Sequence, residues 1–252
     1  MDGSDVELMD QYTPRGGLDD GDHLPGSRGE HVLQLLFATR DRAKRFYERQ
    51  VTDRLTPRMR EFVARQEMVF VGTADASGNC DTTFRAGPPG FVRVLDETTL
   101  AYPEFRGNGV LASLGNIMEN PHLSLLFVDF FEELVGLHVN GSATIVTAYD
   151  AARRHGLADE DMTAPGRRAE RWVRIEVEEA YIHCSKHIPL LARQERGGRH
   201  GARRRPAGED HFGVGRRGER PAERERSIER GLPAEREWPA EREREKAGKP
   251  AG

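Results

Sequence analysis

Apolar residues recur with two different periods along the chain, and the change of period separates helical from extended segments. Over residues 30–51 they return every three to four positions, which predicts an amphipathic helix that is interrupted near residues 39–41. A second helix is predicted to begin at Pro57, because proline suits the first helical position and Thr56 can cap it. Beyond this helix the pattern becomes that of short strands.

Short runs of apolar, β-branched and aromatic residues predict strands that pair as hairpins. One helix, over residues 110–119, is predicted between the earlier and the later strands. So few helical crossovers favour a small β-barrel over a parallel sheet. The connection over residues 147–171 is predicted to lie on the surface with a short helix at 150–157, and a lid over a ligand is the alternative. The predicted strands are 68–74, 80–85, 91–95, 98–102, 123–131, 134–146, 172–177 and 180–184.

Residues 83–121 combine two strands, a glycine-containing turn and a helix start with two arginines. The turn at residues 107–109 comes directly before the predicted helix, whose first amides lack partners within the helix and can therefore bind an anion. Arginine holds a phosphate through two parallel hydrogen bonds and stays charged. The alternative is an ordinary turn with solvated arginines. The candidate anion ligands are Arg85, Arg106, Asn108 and Ser113.

A second group of polar residues lies near the end of the last predicted strand. His183, Cys184 and His187 suggest zinc ligands by their spacing, but the sequence offers no second pair of ligands, and we predict no metal site. Lys186, at the same corner, could meet a phosphate or an anionic substrate as a point charge, or be an ordinary exposed lysine.

Three stretches occur in a fixed order: FRAGPPGFVRVLD, YPEFRGNGVLASLGNIMENP and GLHVNGSATI. In this combination the chain resembles the pyridoxamine 5'-phosphate oxidase-like family of FMN-binding split β-barrels, over residues 66–186. The resemblance implies a mainly β fold with flanking helices and a homodimer that binds FMN at the subunit interface. It also implies an FMN-dependent oxidoreductase that acts on a small molecule. A deazaflavin is the alternative cofactor, and a non-catalytic flavin-binding or storage protein is the alternative function.

The resemblance assigns residues to two parts of the cofactor and identifies no catalytic residue. The chain has Arg106, Gly107 and Asn108 where the oxidase has a serine-arginine-lysine cluster, so the resemblance does not extend to oxidation of pyridoxamine phosphate. His138 and Asn140 would share one face of a strand, and the resemblance places them near the edge of the isoalloxazine, with a structural pair as the alternative. The implied phosphate ligands are Arg85, Arg106, Asn108 and Ser113, and the implied ring contacts are Thr83, Phe84 and Tyr102.

Composition changes abruptly near Arg193 and sets the predicted domain limits. Residues 193–252 contain 17 Lys and Arg against 12 Asp and Glu, and they repeat Pro-Ala-Glu-Arg-Glu at Pro221, Pro233 and Pro239. Because this segment is poor in aliphatic residues, we predict that it is disordered, as are residues 1–29, which leaves a flavin-binding split-barrel domain with N-terminal helices over 30–192. Glutamates interspersed among the arginines weaken attraction to nucleic acid, which is therefore not an expected partner.

The sequence also indicates where the protein resides. No stretch approaches the about 18 apolar residues of a membrane span, and residues 1–29 lack the apolar region of a signal peptide. Only Cys80 and Cys184 are present, which is too few for a disulfide framework. We therefore expect a cytoplasmic protein without a membrane partner.

Overall fold

The computed structural model describes residues 24–157 and 169–193. The described helices are α1 (Arg28–Leu36), α2 (Arg40–Gln50), α3 (Pro57–Arg65), α4 (Ala112–Glu119) and α5 (Ala148–His155). The described strands are β1 (Val51–Thr52), β2 (Met68–Ala74), β3 (Cys80–Ala86), β4 (Arg93–Val94), β5 (Thr99–Phe105), β6 (His122–Val128), β7 (Gly136–Thr147) and β8 (Ala169–His183).

Seven of these strands form one antiparallel sheet in the order β3-β2-β6-β7-β8-β5-β4, and β1 pairs with β8. Strands β3 and β5 are five positions apart in this order, which in a flat sheet would separate them by about 24 Å. A side chain of β3 nevertheless contacts one of β5 at 2.8 Å. The sheet therefore curls around its core, and the predicted split β-barrel, mainly β with flanking helices, is confirmed.

The core lies inside the curl because residues of the strands alternate between its two faces. In β2, for example, Val69 and Val71 are fully buried, while their neighbours are partly exposed. The longest pairing joins β7 to β8, from Gly136 opposite His183 to Thr147 opposite Arg171. The bulkiest fully buried side chains are Trp172, Tyr102, Phe91 and Phe127.

The helices at the start of the described chain form as the sequence predicts. The predicted interruption near residues 39–41 separates α1 from α2, although α1 begins at Arg28 rather than at residue 30. Thr56 caps α3 through the amide of Met59 at 3.3 Å, with Pro57 at the first position. Helix α3 buries Phe62 and Val63, whereas α1 and α2 bury no residue. Within the described residues, no helix is both long and apolar enough to span a membrane.

Several predicted boundaries are wrong. The strands predicted over residues 172–177 and 180–184 are one strand, β8, which ends at His183. A register shift opposite Asn140 and Gly141 takes up one residue and lets the pairing continue past Glu178. The predicted strand over residues 91–95 shrinks to β4, since Phe91 and Val92 turn into the core. The predicted lid includes residues 158–168, and the predicted disordered segments include 1–23 and 194–252, all of which lie outside the described residues.

Gly141 allows β7 and β8 to approach each other at the register shift. A Cβ atom at this position would lie 2.0 Å from the carbonyl oxygen of Glu176, a backbone atom that cannot move aside alone. We expect Gly141→Ala to lower the free energy of unfolding by about 3 kcal/mol, because it forces the two strands apart. Urea denaturation measures this change.

Gly115→Ala is the matched control. Gly115 lies in α4, and a Cβ atom there has no neighbour within 4 Å. Because alanine favours a helix over glycine, this variant should be as stable as the wild-type protein or more stable, by up to about 1 kcal/mol. Equal stability of the two variants would contradict the close-approach explanation.

Candidate functional site

A cleft of about 430 Å³ lies between β3, the end of β5 and the amino end of α4. Alternation along β3 directs three of its polar side chains to this cleft, while the turn after β5 and the first turn of α4 contribute others. Four predicted site residues, Thr83, Arg85, Asn108 and Ser113, are therefore brought together. The polar side chains that line the cleft belong to Asp81, Thr83, Arg85, Glu104, Asn108 and Ser113.

Arg85 is held on several sides within the cleft. Its Nε and Nη2 atoms donate to Oε1 of Glu104 at 3.1 and 2.8 Å. Its Nη1 atom donates to Oγ1 of Thr83 at 2.6 Å and to the carbonyl oxygen of Phe84 at 3.3 Å. The side chains of Arg85 and Glu104 are only 22% and 12% exposed, so water screens this ion pair less than one at the surface.

The amino end of α4 faces the cleft without a side-chain cap. The helix begins at Ala112, two residues later than predicted, because Oδ1 of Asn108 accepts from the amide of Val110 at 3.0 Å and Leu111 is left-handed with φ 57°. No side chain caps the helix at Leu111. The first helical amides are therefore available to an anion.

Three predicted residues lie outside the cleft lining. Phe84 is on the opposite face of β3 and packs against Phe70, with 5.4 Å between ring centroids. Arg106 is exposed beyond the end of β5. Tyr102 is fully buried, and its hydroxyl oxygen has no hydrogen-bond partner. Burial raises the pKa of the Tyr102 phenol above its usual value, and the nearby Glu104 carboxylate raises it further.

The remaining predicted residues lie elsewhere. His138 and Asn140 share one face of β7, as predicted, and each contacts β8. The His138 ring stacks on Tyr181 with 4.6 Å between centroids, and its Nε2 atom lies 3.0 Å from Nδ1 of His183. Asn140 donates from Nδ2 to Glu179 at 2.8 Å and lines a separate groove of about 600 Å³ beside α1 and α2. Lys186 is exposed after β8.

Sequence reasoning missed two acidic residues of the cleft, Asp81 and Glu104. Two-residue alternation along β3 places Asp81 on the same face as Thr83 and Arg85, so this pattern could have found it. Glu104 stands among buried apolar residues of β5, where a carboxylate needs a partner. Across residues 24–157 and 169–193, no three His, Cys, Asp or Glu side chains are grouped as a metal ion would require.

Comparison with known proteins adds to this geometry. Residues 55–184, about half of the chain, match the family model of pyridoxamine 5'-phosphate oxidase. The chain belongs to this family. The predicted resemblance is thereby confirmed, and the cleft of Arg85 is a feature of a pyridoxamine 5'-phosphate oxidase family member. No curated protein matches the chain.

Several solved structures are similar to this family member. HupZ from Group A Streptococcus is 26% identical, and the match covers 55% of this chain and 99% of that one, with a TM-score of 0.38. HutZ, the heme storage protein from Vibrio cholerae, is 16% identical over 51% of this chain and 94% of its own, with a TM-score of 0.36. An FMN-binding protein from Syntrophomonas wolfei is 12% identical over 63% of this chain and 98% of its own, with a TM-score of 0.38.

His138 leads to a pH prediction. Burial, and then the neighbouring His183, lower the pKa of His138, so the unfolded chain takes up this proton at a higher pH than the folded protein does. The free energy of unfolding should therefore fall as the pH drops below about 6.5. His138→Phe, which keeps a ring against Tyr181, should make this decline shallower. Urea denaturation between about pH 7.5 and about pH 5 measures the slope.

The pH range of the measurement and a control variant separate the protonation of His138 from that of other titratable groups. The carboxyl groups of Asp75, Asp96 and Asp129 have lowered pKa values, so their contribution is lost only in more acidic solution. His122→Gln removes an exposed imidazole and should leave the slope close to that of the wild-type protein. An unchanged slope in His138→Phe would refute the assignment.

Proposed function

We propose that the cleft holds the phosphate end of a flavin and that the protein is a flavin-dependent oxidoreductase acting on a small molecule. FMN is the proposed cofactor, with a deazaflavin as the alternative. The observation that carries this proposal is the convergence of Arg85, Thr83 and Ser113 with the uncapped amino end of α4 in one cleft. Membership of the pyridoxamine 5'-phosphate oxidase family gives it independent support.

The donors of the cleft fit a phosphate group. A guanidinium, two hydroxyl groups and the first amides of a helix all donate hydrogen bonds, and the volume of about 430 Å³ lies in the usual range for small-molecule sites. Two carboxylates, of Asp81 and Glu104, also line the cleft, and Glu104 already pairs with Arg85. A phosphate therefore fits when the Glu104 carboxylate no longer accepts the hydrogen bonds of Arg85.

Apolar side chains beside the cleft support a homodimer. Val110 and Leu111 line the cleft and are 72% and 51% exposed, which is a large exposure for apolar residues next to a polar site. We propose that a second copy of the chain covers them when the flavin binds at the subunit interface. A cytoplasmic location is part of the same proposal, supported by the exposed free thiols of Cys80 and Cys184.

A bound flavin supplies the hydride transfer of such an enzyme, and the chain supplies binding and orientation. Arg85 and the helix amides would fix the phosphate, and Thr83 and Ser113 would orient it. The described lining of the cleft contains no histidine, lysine or cysteine, so it offers no side chain that ordinarily exchanges protons near neutral pH. This observation favours the second candidate function, a non-catalytic flavin-binding or storage protein.

Absorbance spectroscopy of the purified protein separates the two functions. We expect the protein to absorb in the flavin bands or to take up added FMN, and a protein that does neither would refute FMN as the cofactor. Anaerobic mixing with reduced nicotinamide then tests for an enzyme. Fast bleaching that oxygen reverses is the result expected of an oxidoreductase, whereas reduction by dithionite alone would identify a binding or storage protein.

Arg85→Ala should weaken FMN binding by about 10-fold to 100-fold, because it removes charge-assisted hydrogen bonds to the phosphate. Riboflavin, which lacks the phosphate, should lose much less affinity. Quenching of flavin fluorescence during titration gives both dissociation constants.

Lys186→Ala is the matched control, since it removes an exposed positive charge outside the cleft. It should bind FMN nearly as tightly as the wild-type protein. Ser113→Ala, which leaves the charge of the cleft unchanged, should fall between the two variants. Equal FMN affinity of Arg85→Ala and Lys186→Ala would remove the phosphate assignment.

A further inference from the structure

The edge of Arg85 that is best suited to a phosphate is already occupied. Its Nε and Nη2 atoms both donate to one carboxylate oxygen of Glu104, at 3.1 and 2.8 Å. This is the pair of parallel donors with which a guanidinium binds two oxygens of a phosphate. The Glu104 carboxylate thus stands where an oxygen of the ligand would otherwise be.

The other edge of Arg85 cannot replace the occupied one. Its Nη1 atom donates to Thr83 and to the carbonyl oxygen of Phe84. A guanidinium has five N–H donors, and these contacts together with those to Glu104 use four of them. One donor remains within the described structure, which is too few for two parallel hydrogen bonds to a phosphate. A phosphate can form both bonds only by taking the place of Glu104.

Charge and burial make this competition strong. The Glu104 side chain is only 12% exposed, so its carboxylate interacts with Arg85, and would repel a phosphate, with little screening by water. Asp81 adds a second carboxylate to the same cleft. One arginine against two carboxylates gives the polar lining a formal charge of −1 before an anion enters.

Tyr102 provides a new partner for a displaced carboxylate. Its buried hydroxyl has no hydrogen-bond partner, and it stands two residues before Glu104 on β5, where side chains share a face. A buried donor without an acceptor is costly, and a carboxylate that turned away from Arg85 would satisfy it.

We propose that Glu104 competes with the ligand phosphate for Arg85, and that a phosphate entering the cleft displaces the Glu104 carboxylate toward the Tyr102 hydroxyl. This inference rests on the proposed function and specifies how the site is regulated. Because the internal carboxylate returns to Arg85 whenever the phosphate leaves, the competition weakens binding of the flavin and speeds its release.

Glu104→Gln tests the competition directly. Glutamine keeps the length of the side chain and an oxygen that accepts from Arg85, so the barrel stays closed while the negative charge is removed. We expect FMN to bind about tenfold more tightly or better and to dissociate more slowly, and riboflavin affinity to stay unchanged. Fluorescence titration measures the affinities, and the recovery of flavin fluorescence after stopped-flow dilution of the complex measures the dissociation rate.

The control is Glu176→Gln, which neutralises the carboxylate of an exposed ion pair with Arg174, 2.8 Å long and outside the cleft. It should not change the affinity for FMN. Tyr102→Phe is a second variant that keeps the ring in the core. It should bind FMN about twofold to tenfold less tightly, without loss of thermal stability, because the displaced carboxylate loses its donor.

The outcomes separate this inference from the proposed function. The competition is overturned if the Glu104→Gln variant binds FMN no better than the wild-type protein, or as poorly as Arg85→Ala. Neither result would contradict the flavin site itself. If Tyr102→Phe binds FMN as tightly as the wild-type protein, the displaced Glu104 carboxylate does not bind the Tyr102 hydroxyl, and that part of the proposal is overturned. Failure of every protein in the series to bind FMN would overturn both the competition and the flavin site.

Discussion

The ion pair between Arg85 and Glu104 joins two strands that are far apart in the order of the sheet. Four strands lie between β3 and β5, yet the two side chains meet at 2.8 Å. The contact is possible only because the sheet curls, and the curl also encloses the core around Trp172 and Tyr102. The curl of the sheet therefore also sets the geometry of the cleft, because the residues that meet across the curl are residues of the site.

This coupling has a chemical consequence for the cleft. An arginine that only bound a ligand phosphate would be exposed and mobile in its absence. Here the Glu104 carboxylate and the Thr83 hydroxyl hold Arg85 in place beforehand, which reduces the entropy lost on binding, while the same carboxylate adds an electrostatic cost. Preorganisation and competition thus come from one residue. The balance between them decides how long the proposed flavin stays bound.

The N-terminal helices, unlike the cleft, depend on local sequence signals and not on long-range contacts. Helices α1 and α2 are well formed locally, through a capping box between Ser27 and Glu30 and through amphipathic spacing, but they bury no residue. Between them and the sheet lies the groove that contains Asn140 and Tyr181. Local sequence signals can therefore specify a helix completely without fixing how closely it packs against the rest of the protein.

The sequence by itself determined most of the elements and the hairpin pairings, because periodicity, caps and turn residues act over short distances. The scarcity of helical crossovers and the family pattern indicated the fold class. The glycine-containing turn and the helix start also indicated Arg85, Asn108 and Ser113 as anion ligands, and the family pattern added Thr83. Sequence reasoning overlooked the continuity of β8, because Glu178 and Glu179 interrupt the alternation that defines a strand.

Only the tertiary structure decided which long-range neighbours meet. The curl buried Tyr102, brought Glu104 to Arg85 and left Phe84 on the opposite face of β3. It also placed Asn140 in a different groove from Arg85. These outcomes depend on strand order and on closure of the sheet, which join residues about 20 positions apart and more, and no local pattern of apolar and polar residues encodes them.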